Sequence, residues 1–266
     1  MVQNSASKLK PVESDFIRDI PLLAGLTDEE KNTLLKEGRI CSFGRRQTIF
    51  RQGDPLNNFY IICSGTVQLC RETPDGREIT LDILSAGHFA CLTEIFELSN
   101  VYMLNAVAVN DVSLVSLPKA WLLETAKKNG VFALNLLSAI SRQSRTTEVN
   151  AEHQATMSAP QLLACYLQHL CADNNFNPRG FDLPVSKSLI ASRLGMEIET
   201  LSRALPVLQK YGISVRGKQV IFRDFPSVEE NVCGHCSVME TCRARKIVRQ
   251  TADDAARLSK ENFKLV

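Results

Sequence analysis

Hydrophobic residues follow two different spacing patterns along the chain. From Ile40 to Leu117, short apolar runs alternate with turn residues such as Gly53 and Pro55, which is typical of an antiparallel β-roll or sandwich. The strands predicted in this region cover residues 48–50, 59–63, 67–69, 79–84 and 112–117. Before them, residues 16–37 carry apolar residues at helical spacing, with a helix start signal at residues 27–30 (Thr-Asp-Glu-Glu).

A long helical pattern follows the roll. Pro118 suits the first turn of a helix, and residues 119–153 predict one continuous helix. Val131, Leu134 and Leu137 form an apolar stripe at three- and four-residue spacings on it. Such a stripe must be covered, either by the roll or by the same helix of a second copy. The second arrangement predicts a homodimer.

A second domain begins near residue 156. Its predicted elements are a helix over 161–171, a strand over 183–185, a helix over 186–194, a break at 195–196, a helix over 197–211 and a hairpin over 213–223. Two helices around a glycine turn, followed by a hairpin, predict a winged helix-turn-helix. We therefore expect an α+β protein with a β-roll (16–118), a dimerisation helix (119–155), a winged helix-turn-helix (156–226) and a tail (227–266).

Composition and charge narrow the class of protein. The chain has 266 residues, enough for two domains, and its 44% hydrophobic and 23% charged residues are ordinary for a globular protein. The net charge of +2 favours no partner. Locally, however, residues 185–224 carry seven Lys or Arg against three acids. No stretch resembles a membrane span or a signal peptide, so we expect a cytoplasmic protein with no membrane partner.

Residues of the predicted second helix carry base-reading chemistry. Glu199, Ser202 and Arg203 project from its first turns. In a major groove, arginine forks onto guanine, glutamate accepts from cytosine, and serine contacts either partner. The residues expected on phosphates are Lys187, Arg216 and Lys218. One surface charge would be unremarkable, but this set on a helix-turn-helix predicts binding to double-stranded DNA.

The tail concentrates three of the nine cysteines. Cys233, Cys236 and Cys242 follow the spacing Cys-x2-Cys-x5-Cys, and three thiolates so close together can hold a soft metal centre. An iron–sulfur cluster, a structural zinc with His235 or a carboxylate as its fourth ligand, and a metal-free thiol–disulfide switch remain alternatives. An electron-transfer protein is a further alternative. No Ser/His/Asp or Cys/His set stands out, so we do not expect an enzyme.

The motifs resemble those of a known family. The Glu-x-x-Ser-Arg of residues 199–203, and the roll motifs at 53–55 and 64–67, resemble the catabolite-activator/FNR family. This resemblance implies a cyclic-nucleotide-binding-like roll, a homodimer, a palindromic site with half-sites near TTGAT, and RNA polymerase as a partner. It also implies a [4Fe–4S] cluster that senses oxygen or nitric oxide.

The C-terminal position of the cysteines resembles a branch of that family in Gram-positive bacteria. There the fourth ligand resembles a carboxylate from the long helix, which implies Glu148 here. Other candidates for the fourth ligand are Glu152, His153, Cys165 and Cys171.

Two departures from the family pattern lead to expectations of their own. Leu92 stands where the cyclic-AMP-binding branch has its ribose-binding glutamate, and the phosphate-binding arginine falls near Tyr102 and Met103. Because a buried phosphate needs a cation or several N–H donors, we expect no binding of cyclic AMP. Haem or a metabolite in the roll stays an alternative. Pro206 falls inside the recognition helix and is expected to kink it.

Overall fold

A computed structural model describes residues 7–8, 20–174, 177 and 179–250. The chain divides into two compact units, Met1–Thr146 and Thr147–Val266. The division falls inside the long helix and not at either of its predicted ends. The finer domain limits at residues 118, 155 and 226 stay predictions.

The first unit contains two antiparallel sheets. In chain order its strands are β1 (Ser7–Lys8), β2 (Arg39–Phe43), β3 (Thr48–Phe50), β4 (Asn58–Ser64), β5 (Val67–Glu72), β6 (Glu78–Leu84), β7 (Phe89–Ala90), β8 (Asn105–Ala108) and β9 (Val112–Pro118). One sheet has the spatial order β1-β2-β9-β4-β7 and the other β3-β8-β5-β6. The predicted β-roll is confirmed.

Strand β4 explains why the roll has two cores. Phe59 and Ile61 face one hydrophobic cluster, whereas Tyr60 and Ile62 face the other. Successive side chains of a strand point to opposite sides, so a strand covered on both faces reads as a continuous apolar run. Helices cover the first face, and the second sheet covers the other.

The α-helices beside the roll are α1 (Asp28–Glu37), α2 (Lys119–Lys128) and α3 (Gly130–Thr156), and α3 continues past Thr146 into the second unit. Helix α1 begins at a capping box in which Thr27 and Glu30 satisfy each other's backbone N–H groups. The helix start predicted at residues 27–30 is therefore confirmed, and the helical spacing over 16–37 is not one continuous helix. A short 3-10 turn, Pro21–Leu23, comes before α1, and residues 16–19 of that prediction lie outside the described residues.

The helix predicted over 119–153 is interrupted at Asn129. The backbone of Asn129 lies outside the helical region, with φ −117° and ψ 100°. The Asn129 side chain accepts from the N–H of Phe132 (3.0 Å) and donates to the carbonyl of Gly25 (3.0 Å). Asn129 thus caps the start of α3 while it is tied to a distant loop. The prediction of one continuous helix is wrong for this reason.

The second unit contains a winged helix-turn-helix. Its elements are α4 (Ala159–Asp173), β10 (Phe181–Asp182), α5 (Lys187–Arg193), α6 (Ile198–Val207), β11 (Ile213–Arg216), β12 (Gln219–Phe222) and α7 (Phe225–Asn231). The three strands form a sheet in the order β10-β12-β11. The strand predicted at 183–185 lies at 181–182 instead, because Pro184 has no N–H to extend the pairing.

Helix α6 ends shortly after Pro206. The α-helical part stops at Val207 and a 3-10 turn, Leu208–Tyr211, continues to Gly212. The helix predicted over 197–211 is therefore two elements, because proline removes one bond of the α-helical ladder. Gly212 has φ +77°, and a side chain there would collide with the backbone carbonyl of Asp224. Only glycine closes this corner without displacing β11 or α7.

Across the described ranges, every helix is too short or too polar to cross a lipid bilayer.

Candidate metal centre and nucleic-acid interface

Four cysteine side chains of the second unit line one small cavity. Cys165 comes from α4, and Cys233, Cys236 and Cys242 come from the tail. The other lining residues are Met157, Gln168, His169, Val232 and Met239. The cavity measures about 20 Å³, room for about one water molecule. The fold therefore brings the three predicted tail cysteines together and adds a fourth thiol.

Tight turns carry the tail cysteines to this cavity. The N–H of Cys236 donates to the carbonyl of Cys233 (3.0 Å), and that of Cys242 donates to Met239 (3.3 Å). These two bonds close 3-10 turns, Cys233–His235 and Met239–Thr241. Upstream, the Gln161 side chain donates to the carbonyl of Asn231 (2.9 Å) and fixes the start of the tail to the first turn of α4.

Two imidazoles lie among the thiols. The Nε2 atom of His153 is 3.2 Å from the Sγ atom of Cys236, and its Nδ1 atom is 3.8 Å from that of Cys165. One ring therefore contacts a tail thiol and a helix thiol. On α4, Nε2 of His169 lies 4.0 Å from Sγ of Cys242.

The thiols differ in acidity according to these neighbours. Burial would raise the pKa of Cys165, but hydrogen bonds with His153 and His169 outweigh it and lower the pKa to about 6. Burial raises the pKa of Cys233 to about 11, although Gln168 lies against it. Burial raises the pKa of Cys236 as well. Burial would also raise the pKa of Cys242, but hydrogen bonds with His169 and the N–H of Arg245 outweigh it and lower that pKa. Cys165 and Cys242 are thus the thiols of this set that give up their protons most readily.

The structure separates the candidates for the fourth ligand. Glu148 is exposed and does not line the cavity, and its predicted role as a ligand stays a prediction. Glu152 accepts from the N–H (3.1 Å) and the hydroxyl (2.6 Å) of Ser237, the neighbour of Cys236. Cys171 is buried away from the cavity.

No group of three or more His, Cys, Asp or Glu residues has the convergent geometry of a metal-ion site within the described part of the chain. The side chain of His235, the expected zinc ligand, lies outside the described residues. The thiols surround a common space and do not point at one centre. A single zinc ion needs four ligands at about 2.0–2.3 Å from one point, whereas the irons of an iron–sulfur cluster are spread over a cube and each takes its own thiolate.

The predicted base-reading residues share one exposed face of α6. Glu199, Ser202 and Arg203 are exposed, whereas Leu201 and Ala204 are buried. Positions three and four residues apart on a helix lie on the same side. The recognition face predicted from the sequence is thus available to a groove.

The turn that positions α6 depends on a left-handed residue. Gly195 lies between α5 and α6 with φ +66°, and Ser186 caps α5 by accepting from the N–H of Leu189. Ile190 of α5 and Leu201 of α6 are buried. Of the expected phosphate contacts, Lys187 is half-buried in the first turn of α5, whereas Arg216 and Lys218 are exposed around the β11–β12 turn.

Helix α4 connects the cysteine cavity with the recognition helix. Cys165 and His169 of α4 face the tail, and the same helix packs against α6. His169 was not among the residues singled out in the sequence. Its position four residues after Cys165, on the same face of a helix, was the available signal.

The roll has Leu92 and Tyr102 at or near the positions where the family pattern places polar groups. Tyr102 is buried and stacks on Phe50, with ring centroids 4.1 Å apart. Its hydroxyl donates to the carbonyl of Asn58 (2.8 Å). Leu92 is buried in the cluster on the helix side of the sheet. Exclusion of cyclic AMP stays a prediction.

Comparison with known proteins defines the class. Residues 40–129 match the family model for the cyclic nucleotide-binding domain, and residues 161–230 match that for the Crp-like helix-turn-helix domain. The global nitrogen regulator of Synechocystis sp. is 30% identical over 184 residues, covering 67% of this chain and 82% of that protein. The anaerobic regulatory protein of Pasteurella multocida is 26% identical over 190 residues, covering 70% and 69%.

The fold agrees with these matches. The structure of FixK2 from Bradyrhizobium japonicum superposes with a TM-score of 0.65 at 22% identity, over 73% of this chain and 97% of that one. The chain belongs to the Crp/FNR family of DNA-binding transcription regulators. Its relatives include regulators named for nitrogen and for anaerobic control, so membership alone does not define the signal.

Proposed function

We propose that this protein is a homodimeric regulator that senses oxygen or nitric oxide through a [4Fe–4S] cluster held by Cys233, Cys236 and Cys242. The observation that carries the proposal is the gathering of these three thiols around one cavity against α4. Similarity to an anaerobic regulatory protein agrees with it. The donor set fits, since thiolates are the usual ligands of such clusters.

A cluster would supply a centre that oxygen or nitric oxide attacks. The residues around the cluster suggest how its loss would affect the DNA-binding face. With the tail cysteines engaged, residues 233–242 are fixed to α4, and Ser237 stays bonded to Glu152 at the end of α3. Because the cavity holds only about one water molecule, these turns must move outward to receive a cluster. Because helix α4 packs on α6, this movement would change the position of the recognition helix.

Homodimerisation is part of the proposal. Val131, Leu134 and Leu137 are 56%, 65% and 60% exposed on α3. Three large apolar side chains along one helix face require a partner, and a twofold pairing of α3 with a second copy covers them. Two recognition helices then face successive major grooves, about 34 Å apart.

The proposed DNA site is a palindrome with half-sites near TTGAT, read by Glu199, Ser202 and Arg203. Lys187, Arg216 and Lys218 would contact phosphates and set the register. At a promoter, RNA polymerase is the proposed protein partner.

Anaerobic purification tests the sensor. We expect a brown protein with about four irons and four sulfides per protomer, which binds the palindrome more tightly before exposure to air than after it. The Cys236→Ala variant should lose iron and this response, whereas Cys70→Ala, which removes a buried thiol of the roll, should keep both. A colourless protein whose DNA binding ignores air overturns the sensor. One zinc per protomer would indicate a structural site, and a haem spectrum would indicate an effector in the roll.

A further inference from the structure

Cys165 stands apart from the other cysteines outside the tail. It lies in the middle of α4, and its thiol opens into the cavity that the three tail cysteines line. Cys171 follows six residues later on the same helix but does not reach that cavity. The remaining cysteines (Cys41, Cys63, Cys70 and Cys91) belong to the roll.

We infer that Cys165 supplies the fourth thiolate of the metal centre, so that a helix of the DNA-binding domain itself holds the cluster. This inference rests on the proposed cluster. A four-iron cluster takes four ligands, and thiolates are preferred. The described residues place four thiols around one cavity, and three of them are the tail cysteines already proposed.

The competing carboxylates are less well placed. Glu148 is exposed and is not part of the cavity wall. Both carboxylate oxygens of Glu152 are engaged by Ser237, so this side chain holds the backbone beside Cys236. Glu152 is better described as a residue that positions a ligand than as a ligand.

The imidazoles have a supporting geometry. His153 contacts both Cys236 and Cys165 through its two ring nitrogens, and His169 lies against Cys242. Hydrogen bonds to ligating sulfurs orient them and tune the centre they bind. With four thiols available, His153 and His169 act as hydrogen-bonding partners of the ligands.

Differential alkylation tests this inference in the native chain. Anaerobic holoprotein and iron-free protein would be treated with iodoacetamide and the modified cysteines identified by mass spectrometry. We expect Cys165, Cys233, Cys236 and Cys242 to be protected only when iron is bound, whereas Cys171 should behave alike in both states. Equal labelling of Cys165 in the two states, beside protected tail cysteines, would overturn the assignment.

Variants give the second measurement. After anaerobic reconstitution with ferrous iron and sulfide, wild type, Cys171→Ala and Glu148→Gln should each hold about four irons. Cys165→Ala and the closer Cys165→Ser should hold three or fewer, with circular dichroism checking that the iron-free variants are folded. Four irons in both Cys165 variants refute the inference, and loss in Glu148→Gln would assign the ligand to Glu148. If wild type takes up no iron, the proposed cluster itself fails.

Discussion

The exposed stripe of α3 allows dimerisation to be tested quantitatively. Leu134 and Leu137 lie three residues apart on one helix face, and about three fifths of each side chain is exposed in the single chain. Replacing both with alanine removes the apolar surface while keeping a good helix former at each position. The double variant should therefore fold as a protomer and fail at the pairing step.

The size of the effect follows from the exposed area. Full burial of a leucine contributes about 1.5–3 kcal/mol, so covering three fifths of it contributes about 1–2 kcal/mol. A twofold dimer buries four such side chains, which together contribute about 4–8 kcal/mol. Since each 1.4 kcal/mol is a factor of ten in affinity, the dimer dissociation constant should rise at least about 1,000-fold.

Sedimentation velocity over a range of protein concentrations measures this constant. Leu98→Ala is the matched control, because Leu98 is 98% exposed but lies in a loop of the roll and not on α3. We expect the control to dimerise like wild type and the double variant to sediment as a monomer at the same concentrations. A double variant that dimerises as tightly as wild type would refute the role of this helix face.

Four further outcomes follow from the described contacts. Arg203→Ala should weaken binding to the palindrome by about 1–3 kcal/mol, so the difference in affinity between the palindrome and a scrambled duplex should fall, as measured by fluorescence anisotropy. Equal losses of affinity on both duplexes would exclude base reading by Arg203. Lys218→Ala should weaken binding to both duplexes alike and reduce the slope of log affinity against log salt by about one per protomer. An unchanged slope would show that Lys218 does not contact a phosphate. Gly212→Ala should lower the thermal midpoint, because its side chain would meet the Asp224 carbonyl; a midpoint equal to that of wild type would contradict the tight corner. Calorimetric titration with cyclic AMP should give no binding heat, and micromolar binding would show that the roll accepts it despite Tyr102.

Much of the fold was predictable because it rests on local signals. Alternation broken by glycine and proline located the strands of the roll, and the glycine turn located the two helices of the DNA-binding unit. The error in the long helix comes from a contact between distant segments. Asn129 interrupts the long helix because a loop near Gly25 takes up its amide, and the apolar spacing on both sides of it stays helical. Strand β10 lies at Phe181–Asp182, where it pairs with β12, and Pro184 cannot extend that pairing.

The site was predictable in part for the same reason. The spacing of Cys233, Cys236 and Cys242 is a local motif, and the tail was identified from it. The helix against which the tail packs is fixed by the fold, so Cys165 remained one of several candidates and His169 was missed. The proposed base-reading face could be predicted because Glu199 and Arg203 lie on one helix whose register follows from its own sequence.

Helix α4 has consequences for exchanging parts between regulators. One face carries Cys165 and His169 toward the tail, and the helix also packs on α6. The tail is therefore not a detachable module. A transplant of residues 227–250 onto another winged helix would carry three cysteines but leave their surroundings behind. A graft must therefore include α4, the helix that also packs on the recognition helix of its own domain. Under the proposed function, sensing and DNA binding would have to be transferred together.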